Sequence, residues 1–312
     1  MAKNIQRNPA DFIQPLNING MEGRMLRMPA QVNGHASEIL YIYGLHSSLE
    51  RWWGLIQVLN RYGAVTAPDM PGFGGMDSFY KIGKKPTLDN YADYLAALVK
   101  LRYRRKKVVI VGLSFGFLIA TRMLQRYPEL TKKVTLLVSL VGFAHQDDFT
   151  FSKPRYNFYL YGTKIIKTKP GSMLFRTIAL NPSVLRTFYG RTHNAKHKYA
   201  QANNDAETEQ IKEIEVGLWR NNDARTWAFT TNEFLTLDNC KVRVNLPVWH
   251  VGAKVDNYFD NNIVEQHMRV IFSGYESAML DLVAHAPSVI ATENDAAALI
   301  PPRLRKRLNK LD

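Results

Sequence analysis

The chain has 312 residues, 46% of them hydrophobic and 22% charged, and a formal net charge of +14 at pH 7, enough apolar material for one sizeable core and too much for a disordered chain. A single cysteine, Cys240, excludes an internal disulfide and a cysteine-built metal cluster and is expected to be a packed or idle thiol. No uncharged apolar run reaches the ~18 residues of a membrane span, and the first residues lack the apolar centre of a secretory leader, so a cytoplasmic protein is expected.

In chain order, residues 39–43 (ILYIY) and 64–67 (AVTA) read as strands. Residues 88–101 predict a helix, because Leu88, Tyr91, Leu95, Leu98 and Leu101 fall on one stripe. A third strand at 108–111 (VVIV) leads into a second helix that follows Ser114 and stops near Tyr127, ahead of Pro128. Residues 134–141 (VTLLVSLV) and 248–251 (VWHV) complete the apolar runs. Such continuous apolar strands, alternating with helical stretches, predict an α/β protein whose mostly parallel central sheet is flanked by helices on both faces.

From about residue 143 the alternation breaks: the stretch is basic, aromatic and interrupted by Pro154, Pro170, Gly171 and Pro182. Ten Lys and Arg side chains between Phe143 and Ala200 face only Asp147 and Asp148. The expected organisation is a core first part at 1–142, an inserted helical cap at 143–235 and a core second part at 236–312, with a second basic cluster from Arg303 to Lys310.

Gly112-Leu113-Ser114-Phe115-Gly116 follows one strand directly and opens a helix. A serine on so sharp a turn needs small residues two before and two after it, and it sits at a helix N-terminus where the Phe115 N–H can meet a developing oxyanion. Serine is a poor nucleophile at neutral pH, so a histidine must take its proton and a carboxylate must orient that histidine. His285, on a loop after an apolar stretch at 279–283, has the context for the base; His193 and His197 fall in the cap and His250 within a strand. Asp256, just past the strand at 248–251, is the first choice for the acid, with Asp260 four residues on as its rival and Asp148 as a third choice. The chain order Ser, Asp, His matches the order this type of turn is used with.

Two further segments, Tyr43-Gly44-Leu45-His46-Ser47-Ser48 followed by Trp52-Trp53, and Asp69-Met70-Pro71-Gly72-Phe73-Gly74, complete a set that resembles the α/β-hydrolase superfamily, in particular its lid-bearing serine esterase and lipase-like branch. The resemblance covers about 37–142 and 245–300 and leaves out the cap. It implies an α/β-hydrolase fold, a Ser114–Asp256–His285 triad and a second oxyanion N–H at Leu45 beside that of Phe115. Two departures stand out: Tyr43 occupies the place where the family usually has histidine, and Gly252 and Asp256 are spaced one residue wider than usual. The resemblance also implies that dehalogenase and epoxide hydrolase relatives would carry aspartate where this chain has Ser114.

The expected activity is cleavage of a carboxylic ester with an apolar acyl part, with neither metal nor organic cofactor. A carbon-carbon bond hydrolase using the same triad and a non-catalytic binding protein are the alternatives. In the cap, Tyr156, Phe158, Tyr159, Tyr161, Ile165 and Ile166 are interleaved with Lys and Arg. That pattern fits a lid helix packed on the core, a basic face on an anionic membrane surface, or cations that draw in an acidic substrate. With no nucleic-acid-binding module present, no nucleic-acid partner is expected.

Overall fold

The computed structural model describes residues 7–31, 37–188, 204–282, 285 and 296–311. Among the described residues eight strands form one sheet in the order β1-β2-β4-β3-β5-β6-β7-β8. From β4 (Ala64–Pro68) through β3 (Glu38–Ile42), β5 (Val108–Leu113), β6 (Val134–Leu140), β7 (Val244–Ala253) and β8 (Phe272–Leu280) neighbours run parallel, while β1 (Ile13–Ile18) and β2 (Met21–Met28) form an antiparallel pair at one edge. Every residue of β3 and β5 is buried, as continuous apolar runs require when both faces of a sheet are covered.

The edge hairpin was not among the expected strands. It turns through Asn19 and Gly20, both at positive φ (54° and 80°), the two-residue geometry that matches strand twist. β8 was also missed as a full strand, since only its ends, Phe272 and Leu280, are buried and its middle shows no apolar run. Of the stretch expected at 279–283, Met279 and Leu280 end β8 and residues 281–282 follow it outside any strand.

Helices α1 (Trp53–Asn60), α2 (Leu88–Arg102) and α3 (Phe115–Arg126) connect the first parallel strands. α9 (Asn261–Ile271) links β7 to β8, and α10 (Pro302–Leu308) lies near the end of the chain. Between β6 and β7, among the described residues, run α4 (Lys153–Ile166), α5 (Lys169–Ile178), α6 (Pro182–Phe188), α7 (Asp205–Asn221) and α8 (Ala224–Phe234). Pro154, Pro170 and Pro182, which the sequence presents as breaks, occupy the first turns of α4, α5 and α6, where a missing N–H costs nothing. Thr168 and Asp223 cap α5 and α8 by accepting the N–H groups of Gly171 and Thr226.

Candidate active site

β5 runs into α3 through Ser114, whose φ of 49° and ψ of −114° lie outside the ordinary regions for an L-residue. The turn is tight enough that a methyl group on Gly112 would sit 2.5 Å from Phe117 Cα, and one on Gly116 would sit 2.2 Å from the Ile42 carbonyl oxygen. Only glycine fits both places. The Ser114 N–H donates to the Leu140 carbonyl at 2.8 Å, and the Ser114 carbonyl accepts from Phe117 and Leu118, so the Phe115 N–H belongs to the first turn of α3 and points with its N-terminus.

His285 meets this serine: its Nε2 lies 2.9 Å from Ser114 Oγ and its Nδ1 lies 2.8 Å from Asp256 Oδ2. A carboxylate only accepts, so Nδ1 carries the proton and Nε2 is left to accept from the serine hydroxyl. Asp256 is held by its other oxygen, Oδ1, which accepts the N–H groups of Tyr258 at 2.8 Å and Phe259 at 3.2 Å. The rings of Tyr258 and Phe259 stand edge-on to the imidazole at 5.3 and 5.1 Å, and burial pushes the Tyr258 hydroxyl up to about 12.

The other candidates are engaged elsewhere. Asp260 caps α9, its Oδ1 accepting the N–H groups of Asn262 and Ile263. Asp148 is fully buried and accepts from the N–H groups of Ala144 and His145 at 2.7 and 2.9 Å, with His267 Nδ1 at 2.6 Å on its second oxygen. His250 is buried in β7, hydrogen-bonded to Ser139 Oγ at 2.9 Å, and burial pulls it down to about 4, so it is neutral at pH 7. His193 and His197 lie outside the described residues. Cys240 is partly buried, and desolvation followed by Asp238 and Asp148 pushes it up to about 11, which keeps it a thiol. Among the described residues no three His, Cys, Asp or Glu side chains converge to hold a metal ion.

Tyr43, the departure at the end of β3, has a role of its own. Its hydroxyl donates to Asp69 Oδ1 at 2.8 Å and accepts the Met70 N–H at 2.9 Å. Asp69 Oδ2 also accepts from Arg24 Nε at 2.6 Å and from the Gly75 N–H at 2.8 Å, and Arg24 reaches on to both oxygens of Glu50. Burial pushes Asp69 up to about 6 against the opposing pull of Arg24 and Tyr43. This network fastens the strand end to the 69–74 turn. Next along, a methyl group on Gly44 would lie 2.9 Å from Leu113 Cδ2 and 3.6 Å from Ser114 Cβ, so the backbone leading to Leu45 runs directly beside the serine.

His46 follows at φ 56°, its ring 3.9 Å from that of Trp219 on α7, and its Nδ1 accepts from Asn222 Nδ2 at 3.2 Å. Asn222 Oδ1 accepts the Gly74 N–H at 2.8 Å, and the Asp223 N–H donates to the Gly72 carbonyl at 2.9 Å. Sequence reasoning missed Asn222, Trp219 and Arg24, since nothing in their local pattern marks a side chain that reaches across the fold. Beside the His285 imidazole, Phe259 stacks on Phe143 at 4.4 Å, and Phe149 links it to Phe234 at 4.9 and 5.9 Å. The surroundings of His285 on that side are apolar and aromatic.

A model of the alpha/beta hydrolase fold matches residues 39–227, more than half of the chain, and the chain belongs to that family. The matched span holds Ser114 and ends before Asp256 and His285. Among named relatives, human Protein ABHD8 is 31% identical over 100 residues, which is 32% of this chain and 22% of that protein. The chain thus spans well under half of the curated relative it matches. Among solved structures, a putative aryl esterase from Burkholderia cenocepacia superposes with a TM-score of 0.65 at 15% identity, covering 92% of this chain and 96% of that one. The enol-lactonase from Burkholderia xenovorans superposes with a TM-score of 0.61 at 14% identity, covering 86% and 91%. At such identities the likeness is one of fold alone.

Proposed function

We propose that the protein is a serine hydrolase that cleaves a carboxylic ester through an acyl-enzyme on Ser114. The observation that carries this reading is the hydrogen-bonded line from Ser114 Oγ to His285 to Asp256. Ser114 attacks the ester carbonyl while His285 Nε2 takes the hydroxyl proton, and the resulting oxyanion is met by the N–H groups of Leu45 and Phe115. Collapse expels the alcohol, which leaves with the proton from His285. Water, deprotonated by the same nitrogen, then attacks the acyl-enzyme and releases the acid.

The insertion at 143–235 acts as the lid of this site, and the aromatic cluster around Phe143, Phe149, Phe234 and Phe259 supports an apolar acyl group of moderate size. The experiment is fluorophosphonate labelling together with a series of p-nitrophenyl esters of increasing chain length. Wild-type protein is expected to take the label and Ser114→Ala to refuse it, with ester turnover lost in parallel. A folded wild-type chain that resists labelling would leave a non-catalytic binding protein. Labelling without turnover of any ester, joined to cleavage of a diketone, would move the activity to carbon-carbon bonds.

A further inference from the structure

Among the described residues eleven large hydrophobic side chains are exposed, and six of them, Phe158, Tyr161, Ile165, Met173, Leu174 and Ile178, sit on α4 and α5 within 21 residues. They are 59 to 75% exposed, whereas the other five are scattered over separate elements. Single exposed apolar residues are ordinary on a protein surface; a contiguous group of this kind marks a contact.

Both helices already have an inner side. On α4, the Tyr156 hydroxyl donates to the Leu235 carbonyl, and Thr163 and the Leu160 carbonyl take the amide of Asn232. Lys167, just after α4, donates to Asn232 Oδ1 at 2.8 Å. On α5, Phe175 packs against Trp219 and Trp227 at 6.1 Å from each. Phe158, Tyr161 and Ile165 are spaced by three and four along α4, and Met173, Leu174 and Ile178 share one side of α5, so the uncovered stripes lie away from α7 and α8. Around them stand exposed Lys153, Lys164 and Lys169, while Arg176 turns back to donate to the Arg220 carbonyl on α7, and the sequence holds no Asp or Glu from 149 to 204.

We propose that this α4–α5 face docks on the surface of an anionic phospholipid bilayer, its six apolar side chains entering the headgroup boundary and Lys153, Lys164 and Lys169 meeting lipid phosphates. A basic helical surface with a large apolar stripe is the form that lies in a membrane interface. No described helix is long and apolar enough to cross a membrane, so the contact is peripheral. A second copy is disfavoured as the occupant, because it brings the same cations against these and a chain of +14 against a chain of +14. A phosphate polymer would use the cations and leave Ile165, Met173, Leu174 and Ile178 without a purpose.

The experiment is co-sedimentation of the full chain with vesicles of phosphatidylglycerol and phosphatidylcholine, against vesicles of phosphatidylcholine alone. Two variants, Ile165→Ser with Leu174→Ser and Lys153→Gln with Lys164→Gln and Lys169→Gln, change only exposed positions, and unchanged near-ultraviolet circular dichroism verifies their fold. Partitioning onto the anionic vesicles is expected to exceed that onto phosphatidylcholine at least tenfold and to fall at least tenfold in each variant. Equal partitioning onto both vesicles, or binding that survives loss of the two apolar side chains, overturns the proposal. So does a dimer in solution that Leu174→Ser dissolves, since a second copy then covers the face.

Discussion

Asn222, one residue past α7, donates to Nδ1 of His46 and accepts the Gly74 N–H, so a single buried amide joins the helical insertion both to the loop beside Ser114 and to the 69–74 turn. Asn222→Ala removes the donor to His46 Nδ1 and the acceptor of the Gly74 N–H, two part-buried hydrogen bonds worth about 0.5–1.5 kcal/mol each. The variant is expected to melt several degrees lower and to turn over a p-nitrophenyl ester about tenfold more slowly, because the segment bearing the Leu45 N–H proposed for the oxyanion loses an anchor. Unchanged kcat in a folded variant would remove the insertion from any part in shaping that loop.

Asp256→Asn and Asp260→Asn separate the orienting carboxylate from the capping one. The first replaces the acceptor on His285 Nδ1 and favours the wrong tautomer, with an expected loss in kcat of about 10⁴. The second leaves α9 capped, because asparagine caps as well as aspartate, and is expected to stay near wild type. Steady-state ester kinetics of the two variants decides the assignment, and the reverse order would contradict it.

Tyr43→Phe removes one hydroxyl from the network around Asp69 and strips the Met70 N–H of its acceptor. A loss of about 1–3 kcal/mol is expected in chemical denaturation. A variant as stable as wild type would show that the network tolerates a gap there.

His250 gives a pH signature. Its ring titrates near 4 in the folded chain against an ordinary value of 6.5, so between these values the unfolded chain binds the proton and the folded chain does not. Stability therefore rises with pH across this window and falls as pH drops from 6.5 toward 4, by at most about 1.36 kcal/mol per pH unit from this group. Asp69, raised by burial to about 6, contributes the opposite slope between its ordinary value of 3.8 and 6, so the wild-type curve alone hides both. The difference in unfolding free energy between wild type and His250→Gln is expected to shrink steadily from pH 6.5 to 4; a difference independent of pH would refute the buried neutral ring.

What the sequence made legible follows from local chemistry. β5, the elbow and α3 could be read because a buried strand, two obligatory glycines and an amphipathic helix each leave a mark within a few residues. The β1–β2 hairpin left the mark of Asn19-Gly20, yet its strands mix polar and apolar residues too evenly to be read as one face of a core. Asp256 and Asp260 look alike along the chain and differ only in where their oxygens go, onto Tyr258, Phe259 and His285 in one case and onto the start of α9 in the other. Asn222 and Arg24 act on partners 176 and 45 residues away, a distance over which no pattern of spacing speaks.

Arg24 sits on β2, one strand in from the edge of the sheet, yet its guanidinium is bonded to the sequestered carboxylate of Asp69. A trimmed chain starting at β3 would keep the serine, the imidazole and its acid while discarding the counter-charge that lets Asp69 stay ionised indoors. Shortening the protein from that end would therefore unsettle the foundations of the 43–46 segment beside Ser114 from the rear, through a residue on a distant strand.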